Sequence, residues 1–202
     1  MKTAIRHALA AAAAGCALAG CAAAVSGPAT PAPSHTATPS GAPSAGGSRA
    51  ARCAPEALTL RSGGGPSPMT GEHGAYYELI NHSGRACTLA GYPQVTLSAG
   101  GDALPFRYVF GRGPYVTGKA PATVTVNPGG AAWVLVAKYR CDLGDLRDAT
   151  AVSLTLPGTA RPLTGPVSPP ALLSYCKGGA SDPGQVVAVS PVEPAATMTG
   201  SL

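Results

Sequence analysis

From about residue 57 to residue 189 the chain repeats one pattern: apolar and polar residues alternate in short runs, and turns rich in glycine, proline and asparagine cut the runs apart. Ala122-Thr123-Val124-Thr125-Val126 and Val152-Ser153-Leu154-Thr155-Leu156 alternate without a fault. A period of two puts every second side chain on the same face of a strand, so such runs are strands with one face on a core. Tyr77 and Leu79 share a face in residues 75–81, and Val95 and Leu97 do so in residues 92–98. Trp133, Leu135, Ala137 and Tyr139 share a face in the next long run, and residues 57–61 and 185–189 read as the first and last strands. Turns are expected at Asn81-His82-Ser83-Gly84, Asn127-Pro128-Gly129-Gly130 and Pro157-Gly158. Nothing carries the 3.6-residue repeat of a long amphipathic helix. The pattern predicts an all-β domain, an antiparallel immunoglobulin-like β-sandwich. Its expected core is Leu79, Val95, Val124, Val126, Trp133, Leu135 and Leu154, with 127–130 joining neighbouring strands as a hairpin.

Four cysteines fall in this region: Cys53, Cys87, Cys141 and Cys176. A zinc site needs close pairs such as C-x2-C, and even the nearest pair here is far wider than that. An even count in an exported chain points to two disulfides, with three pairings open. Sequential pairing, Cys53–Cys87 and Cys141–Cys176, is expected because it ties each end of the domain to a nearby strand.

Export is read from the N-terminus. Lys2 and Arg6 precede an alanine-rich stretch too short to span a membrane, and it ends in Leu18-Ala19-Gly20-Cys21. Small residues leading directly into cysteine are the pattern of a lipoprotein signal, so residues 1–20 are expected to be removed and Cys21 to be acylated. The expected location is the cell membrane, lipid-anchored on the extracytoplasmic face, because two acyl chains hold a protein stably where one does not. Residues 21–52, built from Ala, Pro, Ser, Thr and Gly, cannot bury enough apolar surface to order themselves and read as a disordered tether. The folded domain is expected over 53–193, with 194–202 a flexible tail. The chain holds 14 basic and 9 acidic residues, and Lys2 and Arg6 leave with the signal. The remaining positive charge is too dilute for a nucleic-acid partner.

The run Asn81-His82-Ser83-Gly84-Arg85-Ala86-Cys87-Thr88-Leu89-Ala90-Gly91-Tyr92-Pro93 resembles the signature of the DUF4232 domain family. In that family a strand ending in asparagine and a short turn precede C-T-L-x-G-Y-P. Asn127-Pro128-Gly129-Gly130-Ala131-Ala132-Trp133 resembles its second turn, and the spacing of the four cysteines also fits. The resemblance covers most of residues 53–192. It implies an exported protein, a kind common among actinobacterial lipoproteins, and it supplies no catalytic residue. The motif itself reads as structural: Gly91 permits a positive φ or a close approach, Pro93 limits strand pairing, and Tyr92 packs its ring.

Chemistry-bearing constellations are few. Gly113 to Lys119 imitates a phosphate loop but lacks the following Ser/Thr and helix. The loop with Asp142, Asp145 and Asp148 lacks the alternate ligand spacing of a calcium site and reads as solvated. His73, His82 and Met69 lie near one strand, where a soft metal is the alternative to plain exposed side chains. Asn81-His82-Ser83 fits a glycosylation sequon, with a turn asparagine as the default reading. Pro105 to Tyr115 concentrates aromatics and arginines. Phe106, Tyr108 and Phe110 are spaced as the core face of a strand, which leaves Arg107, Arg112 and Tyr115 as expected contacts for an envelope polymer or protein. The function expected is a non-catalytic envelope binding module with no cofactor and no resident metal. The alternative is an exported enzyme or metal carrier using His73 and His82 or the Asp142–Asp148 loop.

Overall fold

Alternation in the sequence becomes pairing in the computed structural model, which describes residues 50–66, 71–116, 118–141, 144–178 and 181–194. All of them lie in one compact unit, 46–202. In chain order the strands are β1 (Leu58–Ser62), β2 (Glu72–Asn81), β3 (Cys87–Leu89), β4 (Gln94–Ala99), β5 (Asp102–Ala103), β6 (Arg107–Phe110) and β7 (Val124–Val126). There follow β8 (Ala131–Tyr139), β9 (Leu146–Asp148), β10 (Ala151–Thr155), β11 (Pro162–Pro166), β12 (Ser174–Cys176), β13 (Val186–Val189) and β14 (Glu193–Pro194). The helical content among the described residues is two single 3-10 turns, Pro55–Ala57 and Pro183–Gln185. The chain is all-β, as its periodicity indicates.

The largest sheet runs β1-β2-β8-β13-β6, with β14 also on β8, and a second runs β11-β10-β4-β5. Two small ladders pair β3 with β7 and β9 with β12. One apolar cluster is filled from both main sheets: Leu58, Tyr77, Leu79, Val134 and Val136 from the first, Val95, Leu97, Val152 and Leu154 from the second. Val124 and Val126 of β7 close it. Each fully buried side chain of this kind contributes about 1.5–3 kcal/mol of transfer free energy.

Three expectations need correction. Trp133 and Leu135 do not enter this core. Val134 and Val136 do, while Tyr76, Leu135 and Ala137 form a second cluster on the other face, with Trp133, Tyr115 and Val116 packed on it. The strand β8 is covered on both faces, so both residue sets of its run are apolar and alternation cannot choose between them.

The sheets are also not wholly antiparallel. β6 pairs with β13 in parallel, Arg107 opposite Val186 through Phe110 opposite Val189. Parallel neighbours need a long connection, and the chain between these two passes through both sheets. Finally, the 127–130 turn is a crossover rather than a hairpin: β7 pairs with β3, whereas β8 pairs with β2. Asn81 holds the turn there, its backbone accepting from Gly129 N at 2.7 Å and donating to Gly130 O at 2.9 Å.

Two disulfides fasten the periphery. Cys53–Cys87 joins the N-terminal segment to β3, and Cys141–Cys176 joins the end of β8 to β12. Ordered pairing starts before Cys53, because Thr88 N donates to Ala51 O at 2.8 Å and Arg52 bridges Thr88 in parallel. The described chain likewise carries β14 as far as Pro194. Cys21, the expected lipidation residue, and nearly all of the expected tether lie outside the described residues.

Candidate functional site

A cleft at the Cys53–Cys87 end has a volume of about 650 Å³, within the usual range for small-ligand sites. Its walls are the N-terminal segment with Arg52, the end of β3 with Thr88 and Leu89, Thr123 before β7, and the β10–β11 turn with Leu156 and Pro157. The turn exists because Gly158 adopts φ 78°, a conformation that costs most other residues free energy. A Cβ at Gly158 would also come within 3.0 Å of Arg52 Nη1. Threonine hydroxyls here are turned to the backbone: Thr159 Oγ1 donates to Leu156 O at 3.0 Å. Arg52 is the sole ionisable side chain among the lining residues. The cleft therefore offers one cation, a few threonine hydroxyls and apolar side chains.

The aromatic and arginine segment divides in a way its spacing only partly foretells. Phe106 is buried in the main core and Tyr108 packs against it, with Leu97 N donating to the Tyr108 hydroxyl at 2.9 Å. Phe110 breaks the series, being 44 % exposed with its ring edge-on to Tyr92. Arg107 and Arg112 are exposed, and β6 is the outer strand of its sheet. Tyr115 is half-buried on the second apolar cluster. Its backbone has φ 59°, and its ring packs beside Trp133 on Tyr76, Leu135 and Ala137.

A smaller recess, about 120 Å³, opens where β2, β8 and β12 meet. His73, Lys138 and Arg140 line it together with Cys141 and Ser174. His73 lies opposite Lys138 in the ladder. Burial holds the His73 imidazole below its ordinary pKa, and the charges of Lys138 and Arg140 add to the effect. Lys138 is 1 % exposed, and burial lowers its pKa to about 8 against the opposing pull of Asp182. Sequence periodicity missed Lys138, because one lysine in an apolar strand gives no signal of its own.

The two histidines of the metal alternative do not meet. His73 stands at the start of β2 and His82 just beyond its end, nine residues apart and so separated by about 30 Å at about 3.3 Å per residue. Met69 and Asp142 lie outside the described residues. Asp145 is within 4.0 Å of Lys177 Nζ, and Asp148 accepts from Ser174 Oγ at 2.6 Å, so these carboxylates face separate partners. Among the described residues no three His, Cys, Asp or Glu side chains gather as a metal site. Asn81 of the sequon is fully buried, and its amide nitrogen donates to Arg85 O at 2.8 Å and Val126 O at 3.0 Å.

The C-T-L-x-G-Y-P motif is part of the frame. Gly91 takes φ 86° and its carbonyl accepts from Val192 N at 2.9 Å. Tyr92 lies against Gly111, where a Cβ would collide with the phenol oxygen. No curated protein and no solved structure matches the chain. The family model described as Domain of unknown function (DUF4232) matches residues 53–193, and the chain belongs to that family.

Proposed function

We propose that the protein is a non-catalytic binding module on the extracytoplasmic face of the cell membrane, anchored through acylated Cys21 and meeting an envelope polymer or protein. The observation that carries the reading is the Arg52 cleft: it has the volume of a ligand site and a lining whose one ionisable side chain is an arginine. We read the frame as an immunoglobulin-like sandwich, supported by the single core shared between the two main sheets. The tether supports the anchoring role. About thirty residues of Ala, Pro, Ser, Thr and Gly would reach roughly 30 Å, enough to lift a small domain clear of lipid head groups. Arg107 and Arg112, exposed beside the outer strand β6, form a second contact suited to an acidic partner.

Two experiments test the reading. Mass spectrometry of the membrane fraction is expected to show an acylated Cys21 as the N-terminus, and Cys21→Ser is expected to release the protein; a mature chain still starting at Met1 removes the anchor. Capture from envelope material is expected to weaken in Arg107→Ala/Arg112→Ala. A folded double variant that keeps every partner excludes that surface.

A further inference from the structure

We propose that the recess between His73, Lys138 and Arg140 is a binding site for a phosphate-type oxyanion. Three basic side chains line it, and none of the described lining residues is a carboxylate. The Lys138 ammonium is the telling group. It is buried, and among the described residues its hydrogen bonds go to Tyr139 O at 2.6 Å and Cys141 Sγ at 3.8 Å. Among the described residues it forms no ion pair. Buried charges are ordinarily paired, since leaving water without a counter-ion costs several kcal/mol. An ammonium has three donors, and an oxyanion in the recess would take those the backbone leaves.

Surrounding charges fit the same ligand. Arg140 is held over the site at both ends: its N donates to Gly71 O at 2.7 Å, and its side chain crosses Gly71 so closely that a Cβ there would come within 3.1 Å of Cδ. Asp182 accepts from Gly184 N at 2.9 Å, and its charge partly offsets the lowering of the Lys138 pKa; Asp148 accepts from Ser174 Oγ. Among the described lining residues the balance is positive, and the volume of about 120 Å³ equals about four waters at about 30 Å³ each. That is room for one tetrahedral oxyanion, and a larger ligand would place its phosphate there.

The test is NMR of the His73 imidazole in the full-length protein while inorganic phosphate is added at constant ionic strength. The expected result is a saturable rise of the His73 pKa by about one unit, because a bound anion reverses the repulsion from its basic neighbours. Arg140→Gln, at an exposed position, is expected to weaken phosphate about tenfold, and Lys138→Met to abolish the response; Arg107→Gln is expected to leave it intact. A second titration with glycerol phosphate separates the sources: an equal or stronger response indicates an esterified phosphate, a response to inorganic phosphate alone a free ion. No saturable shift at tens of millimolar phosphate, or the same shift in Arg140→Gln as in wild type, overturns the proposal. Arg140→Gln decides the matter should Lys138→Met fail to fold.

Discussion

The side-chain amide of Asn81 donates to the carbonyl of Val126, 3.0 Å away, and so fastens the end of β2 to a strand of another sheet. The same side chain accepts from Ser83 N at 3.0 Å and donates to Arg85 O at 2.8 Å, closing the turn before Cys87. Truncation leaves several of these groups buried and unpaired. Asn81→Ala is expected to cost about 3 kcal/mol, read as a lower denaturant midpoint at unchanged slope. Because the amide nitrogen is spent inside the fold, no glycan is expected on Asn81; a glycosylated peptide covering it would contradict this.

Gly111 has φ 65° and lies against the phenol of Tyr92. Gly111→Ala meets both a backbone penalty and a collision, expected together at about 2–4 kcal/mol. In a Tyr92→Phe background the hydroxyl is gone, so the same substitution is expected to cost less, with the part of about 1–2 kcal/mol due to φ remaining. A double-mutant cycle by chemical denaturation measures the coupling; equal costs in both backgrounds would show that the tyrosine gives way freely.

Tyr77 is fully buried in the main core and its hydroxyl has no hydrogen-bond partner among the described residues. Burial pushes its pKa far up. Since an unpaired buried hydroxyl carries its desolvation cost without return, Tyr77→Phe is expected to be neutral or to stabilise by up to about 1 kcal/mol. Thermal unfolding reads the sign, and a clear loss of stability would reveal a hidden partner.

Lys138 gives stability a distinctive pH dependence. Its folded pKa is about 8 against an ordinary 10.5, so between those values the unfolded chain binds more protons than the folded one. Stability therefore rises as pH increases from about 8. Near pH 10 the rise ends, because Tyr76, Tyr77 and Tyr108 all have raised pKa values and keep protons in the fold that the unfolded chain has lost. Unfolding free energies from pH 7.5 to 9.5 are expected to climb in wild type and to be flat in Lys138→Met. Parallel slopes would place the effect on another group.

How much could be read from sequence follows from how each strand is covered. Val124 and Val126, or Val152 and Leu154, are buried while their neighbours are not, so alternation names both the strand and its inward face. In β8 the run from Val134 to Lys138 is buried without interruption, which reveals a strand but hides which of Trp133 and Val134 faces the main core. β3, β5, β9, β12 and β14 are two or three residues long, too short for any period to register; disulfides or pairing to longer neighbours hold them. Neither recess was visible, for a different reason. The Arg52 cleft is walled by the N-terminal segment, β3, Thr123 and the β10–β11 turn, and the His73 recess by residues from β2, β8 and β12. Such sites are made by topology, and no local motif encodes them.

The central claim, that this domain binds at the Arg52 cleft, is tested most directly by filling it. Thr123 lines the cleft at an exposed position just before β7, so Thr123→Trp places a large ring there with little demand on the core. Wild type and Thr123→Trp, matched for thermal stability, are immobilised and challenged with solubilised envelope material, and bound mass is read by biosensor. The expected result is saturable binding by wild type that falls at least tenfold in Thr123→Trp, with no chemical change in the bound material. Undiminished binding by a folded Thr123→Trp, or turnover of the captured ligand by wild type, would contradict it.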